Sequence, residues 1–270
     1  QYSMGPGSGK CALPGGPHPG GSMPYSKNRQ FMKSEFAESV HKISDQANGV
    51  PYPALQKPVP EGSPPLIDLP DPDLAELKEP NLTKLLKSRQ SRRKFTPEAL
   101  SLAELSYLLF ASQGLLEEVG NGYISHRTVP SAGARHPFET YLAVNRVEGL
   151  NPGNYRYLPF SHQLLLLEET ENLPALLTVA NLGQKFVGDA GVTFAWSCIP
   201  YRAEWRYMDH AHKNMLLDAG HICQNLYLAA TALGLGTCAI GAYDQAAMDA
   251  VFELDGEDEY IVYLAPVGRI

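Results

Sequence analysis

The stretch from Tyr201 to Leu233 constrains the fold more than any other. Met215, Leu216, Ala219, Ile222, Cys223, Leu226, Ala230 and Leu233 recur at steps of three, four and one, which places them on one helical face. The second half is apolar almost all round, so the pattern predicts a central buried helix. Asp218, His221, Gln224 and Asn225 interrupt it. Polar groups in such a place need hydrogen-bond partners or a subunit interface. Gly234-Leu-Gly236 follows a helix rather than a strand, so it reads as a helix stop and not as a dinucleotide loop.

Other elements group around this helix. Asn81 is placed to cap a short helix reaching Gln90, and Ser101-Leu-Ala-Glu104 is a capping box opening a helix through Gln113. Segment 114–127 reads as a polar loop. Strands are expected at 139–146, 154–157, 163–167, 191–197, 237–241 and 260–265, with a further helix over 172–186. The order neither alternates strictly nor is all β, so the fold class is α+β.

Three regions follow from composition. Twelve of the first 24 residues are Gly or Pro, so 1–27 is expected to be a disordered tail. Residues 28–80 form an extended arm: a short helix over 28–48 with Phe31, Phe36, Val40 and Ile43, then nine prolines between Pro51 and Pro80. Its apolar residues suggest that it lies over a surface, that of its own chain or of a partner. The domain proper is 81–270.

The 22 basic and 29 acidic residues give a net charge of -7, a poor match to nucleic acid. None of the four cysteines forms a CxxC pair, which excludes a zinc ribbon and fits a reduced, cytoplasmic setting. No apolar run approaches the roughly 20 residues of a membrane helix. Asp209-His-Ala-His212 offers histidines two apart, which diverge on a helix, so no metal is expected.

Three polar features call for one explanation. Arg89-Gln-Ser-Arg-Arg-Lys-Phe95 concentrates cations in an acidic chain. Pro130-Ser-Ala-Gly133 is a rigid loop whose small residues admit a flat ligand. Gly268-Arg269 lies at the far end of the sequence. Guanidinium forks match phosphate oxygens, so a phosphate on Arg89, Arg93 and Arg269 with a flat ring on the loop describes a flavin mononucleotide (FMN) site.

These residues also carry a family resemblance. Arg89 to Phe95 resembles the opening motif of the nitroreductase superfamily. Pro130–Gly133, Leu217-Asp-Ala-Gly-His221, Gln224-Asn-Leu-Tyr227, Gly234–Gly236, Ile240-Gly241 and Ala265–Arg269 resemble its SagB-type branch, which includes thiazoline and oxazoline dehydrogenases. The resemblance covers about 81–270. It implies a mostly antiparallel sheet flanked by helices, and a homodimer with FMN at the interface. Arg89, Gln90, Ser91, Arg93, Gly268 and Arg269 would surround the phosphate, with Gln90 standing where the family has Arg or His. Pro130, Ser131, Ala132 and Gly133 would line the ring from the other subunit. Ile240, Gly241 and Ala242 would offer backbone N–H groups to its N5/O4 edge.

The azoline-oxidising branch carries a Lys-Tyr pair as its catalytic base, and here the matching pair is Arg206-Tyr207. An arginine stays protonated and cannot act as a base. Tyr207 could, helped by the adjacent cation. The resemblance therefore implies hydride transfer between flavin N5 and an organic substrate, with azoline oxidation on a peptide as one form. The alternatives are an NAD(P)H-dependent reductase of small nitro or quinone compounds and a non-catalytic FMN-binding scaffold.

Overall fold

The computed structural model describes residues 26–34, 42–120 and 122–270. Ser26–Phe31 forms a short helix, α1, within a separate unit. The helix expected over 28–48 is not continuous: 45–49 forms turns, Ile43 is exposed, and Phe36 and Val40 lie outside the described residues. The tail at 1–25 lies outside them too.

The main unit is built on a seven-stranded sheet in the order β1-β6-β5-β4-β7-β9-β8. The strands are β1 (Ile67–Asp68), β4 (Phe138–Val144), β5 (Gly153–Leu158), β6 (Gln163–Glu169), β7 (Val192–Cys198), β8 (Leu235–Thr237) and β9 (Tyr260–Arg269). Every ladder in it is antiparallel. Segment 114–127 is not a plain loop: β2 (Leu115–Val119) and β3 (Ile124–Arg127) form a separate hairpin. Gly120-Asn121-Gly122 between them is the sequence signal for such a turn.

Side chains alternate across the sheet as the period of two requires. Phe138, Leu142 and Val144 of β4 and Phe194 and Trp196 of β7 enter the larger core with α7 (Ala211–Ala232). Tyr141, Ala143 and Ala195 enter a second core on the other face with α4 (Leu173–Ala180) and α8 (Gln245–Val251). The helix expected over 172–186 breaks after Ala180, and α5 (Lys185–Gly188) follows.

The capping box is formed as expected. Ser101 Oγ accepts from Glu104 N–H and Glu104 accepts from Ser101 N–H, opening α3 (Leu102–Gln113). Asn81 caps α2 (Leu82–Ser88). Gly234 takes φ +71 directly after α7, the left-handed value that a helix-ending glycine adopts without cost.

The long helix is divided. α6 (Tyr201–Tyr207) ends where Met208 takes φ +51, a short 3-10 turn follows, and α7 begins at Ala211. α7 buries Met215, Ala219, Ile222, Leu226 and Ala230 but exposes Leu216, Leu217 and His221, so it is buried on one side only.

The proline-rich arm lies on its own chain. Leu55 is buried, Arg127 donates to Leu55 O (2.8 Å), Arg156 to Pro58 O (2.8 Å), and Glu139 accepts from Lys57 N–H (2.7 Å). Ile67 and Asp68 pair with Leu164 and Gln163 at the sheet edge. Earlier in the arm, Gln46 N–H donates to Trp205 O (3.0 Å) and Trp205 Nε1–H to Val50 O (2.9 Å), which holds the arm along α6.

Candidate active site

The basic cluster leaves α2 in extended conformation and runs beside β8. Ser91 bridges to Thr237, and Arg92 N–H donates to Thr237 O (2.8 Å). Tyr227, near the end of α7, is the post on which this region hangs. Its hydroxyl lies 2.9 Å from Ser91 Oγ and accepts from Ala239 N–H (2.8 Å). The Arg89 guanidinium stacks over its ring at 5.3 Å. One side chain thus joins the start of the domain to the segment that carries Ile240 to Ala242.

Among the described residues, no carboxylate pairs with Arg89, Arg92, Arg93 or Lys94. Gln90 and Ser91 are exposed beside them. Gly241 and Ala242 are exposed too, and neither N–H is used within the described chain. Unpaired guanidinium groups and unspent backbone donors, held together through Tyr227, fit a ligand with a phosphate at one end and hydrogen-bond acceptors on a ring edge.

Three expected site residues are used differently. Ile240 is buried and its N–H donates to Leu264 O (2.8 Å), so it cannot serve a ring edge; the donors left are those of Gly241 and Ala242. Gly268 is buried in β9, and a Cβ there would stand 2.8 Å from the Phe95 ring, so its missing side chain makes room for Phe95 rather than for a cofactor. Arg269 is not a free cation. Its fork meets Glu104 at 2.8 Å through both Nη atoms, and Nε–H donates to Ala99 O. Glu104 therefore both caps α3 and holds the end of β9.

The loop Pro130–Gly133 packs near the other end of α7. Ser131 Oγ–H donates to Asp218 Oδ2 (2.6 Å), and Ala132 N–H reaches the same carboxylate at 3.3 Å. Burial raises the Asp218 carboxyl above the usual range, although these bonds and nearby His221 oppose the shift. A cavity of about 290 Å³ opens there between Pro130, Ser131 and Ala132 on the loop and Asn214, Leu217, Asp218 and His221 on α7.

Gly133 turns the loop at φ +60 and faces the Arg206-Tyr207 pair. A Cβ at Gly133 would lie 2.5 Å from Tyr207 Oη and 3.2 Å from Arg206 Nε. Arg206 also stacks on the Tyr207 ring at 5.4 Å. The structure therefore brings the loop and the expected catalytic pair into contact. Behind them, buried Arg135 lies between Tyr123 and Trp205 at 5.1 and 5.3 Å and donates Nε–H to Gly133 O (3.3 Å).

Residues 86–269 match the family model described as the nitroreductase family. The chain belongs to the nitroreductase family. It is 35% identical over 198 residues to a Methanocaldococcus jannaschii protein named as a nitroreductase, MJ1384, covering 73% of this chain and 94% of that one. It is 31% identical over 166 residues to the trifolitoxin-processing protein TfxB of Rhizobium leguminosarum, covering 59% of this chain and 44% of TfxB. A solved Ralstonia eutropha protein described as a nitroreductase superposes with a TM-score of 0.62 at 27% identity, over 81% of this chain and 98% of that one. The nitroreductase fold, mixed helices with a mostly antiparallel central sheet, is thus established for this chain.

Two residues of this nitroreductase-family site, Tyr227 and Asp218, had no assigned role in the sequence reading. Both lie within the recognised segments Gln224–Tyr227 and Leu217–His221, and each is the point where α7 holds a loop distant in sequence. Among the described residues no cluster of His, Cys, Asp and Glu could hold a metal ion, and no helix is long and apolar enough to cross a membrane.

Proposed function

We propose that this chain is an FMN-dependent oxidoreductase, working as a homodimer, that moves a hydride between the flavin and an organic substrate. The observation that carries this reading is the group of unpaired guanidiniums and unspent N–H donors around Tyr227. Arg89, Ser91 and Arg93 would hold the phosphate, with Gln90 beside them. Gly241 and Ala242 would donate to the ring edge, where negative charge gathers on reduction. Arg269 would act through Glu104 and the end of β9 rather than as a main phosphate ligand. When bound, the flavin would supply the two-electron chemistry, and the chain would supply position and electrostatics.

The loop Pro130–Gly133 would line the ring bound to the other subunit. Its anchor Asp218 is nine residues before Tyr227, about 13 Å along α7 at 1.5 Å per residue, so the two ends of one helix serve separate places. The exposed leucines Leu216 and Leu217 suit burial against a second copy.

Two substrate classes follow from different observations. The likeness to TfxB, named for processing trifolitoxin, supports SagB-type azoline oxidation on a peptide. Arg206, which cannot accept a proton, supports an NAD(P)H-dependent reductase of small molecules.

A visible spectrum tests the shared reading. The protein incubated with FMN and desalted should stay yellow. Bleaching by NADPH selects the reductase. A yellow protein indifferent to NADPH that converts an azoline peptide while consuming oxygen selects the dehydrogenase. A yellow protein inert in both assays is a scaffold, and a colourless one removes the flavin reading altogether.

A further inference from the structure

The cavity between the loop and α7 holds a second set of groups that the flavin reading does not use. Asp218 is 5% exposed, yet it keeps a carboxyl at the cavity wall. His221 lies one turn further along the same face of α7, exposed at the cavity, with no hydrogen-bond partner among the described residues. Arg206 and Tyr207 stand on the other side of the loop, at Gly133. Any dehydrogenation that sends a hydride to the flavin must also place a proton. Arg206, at the position where the azoline-oxidising branch has lysine, cannot take it.

We propose that His221 is the proton-transfer residue of this site, and that Asp218 is the positioning residue that fixes both the imidazole and the Ser131-Ala132 segment against which a ring would lie. This rests on the flavin reading. In the oxidative direction the substrate loses two electrons and two hydrogens: one hydrogen departs as hydride, and the other departs as a proton to the His221 imidazole. Reduction of a substrate runs the same exchange backwards, with the imidazolium returning the proton. Imidazole suits the task because its protonation changes within the working pH range.

The surroundings agree with this division of labour. Asp218 is met from the loop by the Ser131 hydroxyl and the Ala132 N–H, from α7 by His221, and from β7 by Cys198, whose thiol burial keeps protonated. A buried carboxylate beside an exposed imidazole favours the imidazolium, so His221 can hold a proton without a solvent-exposed ion pair. The carboxylate stays fixed because its oxygens are already engaged by the loop.

The test uses the FMN-loaded protein and needs no substrate. The midpoint potential of the bound flavin is followed against pH for the native protein, His221→Asn and His221→Gln. The native protein should take up two protons per two electrons across the histidine range, one by the flavin and one by His221. Both variants should take up one, with FMN affinity within about twofold of native. In the protein without FMN, the His221 imidazole followed by NMR should titrate at lower pH in Asp218→Asn, because the neighbouring negative charge is gone. A native protein that takes up one proton overturns the proposal. So do variants that keep the native pH dependence, and an imidazole unmoved by Asp218→Asn. Failure of the native protein to retain FMN is a different result, and it overturns the flavin reading beneath the proposal.

Discussion

The two ends of α7 hold the two halves of the site by different physics. At Tyr227 the contacts are a hydroxyl, an aromatic face and extended backbone, and the cations around them lack acidic partners. At Asp218 a buried carboxylate ties down the loop, and glycine geometry fits that loop against Arg206 and Tyr207. Charge left unpaired marks a place to bind an ion; charge already satisfied marks a place to fix a shape. Substitutions at the first end should change affinity and leave the fold alone. Substitutions at the second should change rate and stability.

Gly133→Ala should give the largest effect. The new Cβ meets Tyr207 Oη at 2.5 Å, in a backbone conformation of φ +60 that side chains adopt reluctantly. Stability should fall by roughly 1–3 kcal/mol. Flavin reduction or reoxidation should slow by about 100-fold, because the loop and the Arg206-Tyr207 pair can no longer both keep their places. Thermal melting and stopped-flow absorbance measure the two. Native stability together with native rates would show that the close approach at Gly133 has no consequence.

The double variant Arg89→Ala, Arg93→Ala probes the opposite end. Each charge-assisted bond to a phosphate contributes about 1.5–3 kcal/mol, so FMN should bind at least ~100-fold more weakly. The remaining affinity should depend less on salt. The melting temperature without FMN should stay near native, since neither guanidinium has an ion-pair partner among the described residues. Fluorescence quenching of FMN reads the affinity. A large loss of apo stability would place these arginines with the structural charges instead.

Tyr227→Phe should have a milder effect on the same affinity. It removes the hydroxyl shared by Ser91 and Ala239 but keeps the ring under Arg89. Loss of one or two hydrogen bonds, at about 0.5–1.5 kcal/mol each, predicts roughly 3- to 30-fold weaker FMN binding. An affinity unchanged by this variant would detach the Ile240–Ala242 segment from the phosphate end.

Elements with strong local chemistry were legible before the structure. The Ser101-Glu104 box, the Asn81 cap and the Gly234 stop each depend on a few adjacent residues, and each forms where expected. The break between α6 and α7 was not legible. Met208 takes φ +51 with neither glycine nor proline to mark it, so apolar periodicity ran through it unbroken. At the site, motif and spacing identified the loop, the basic cluster and the Arg206-Tyr207 pair. They could not show that Ile240 spends its N–H on Leu264, that Arg269 closes on Glu104, or that Gly268 exists for Phe95. Those facts depend on which distant strand or ring arrives beside each residue. No local pattern carries that information.

The smallest effect, a pH dependence, separates the two ends without a ligand. Burial raises the Asp218 carboxyl above its ordinary value of 3.8. The native state therefore holds this proton more tightly than the unfolded chain. Its contribution to stability is complete below the unfolded value and is lost as pH rises through the native one. Urea unfolding midpoints measured upward from about pH 3.8 should show this decline superimposed on the other carboxylates. In Asp218→Asn the decline should vanish, and the curve should lie lower at acid pH, where the Ser131 bond is compromised. Arg89→Ala should leave the pH dependence of the native protein unaltered. A native protein and Asp218→Asn with parallel curves would mean that the carboxyl at this end of α7 is as well solvated as one on the surface, and the contrast between an ion-binding end and a shape-fixing end would lose its electrostatic basis.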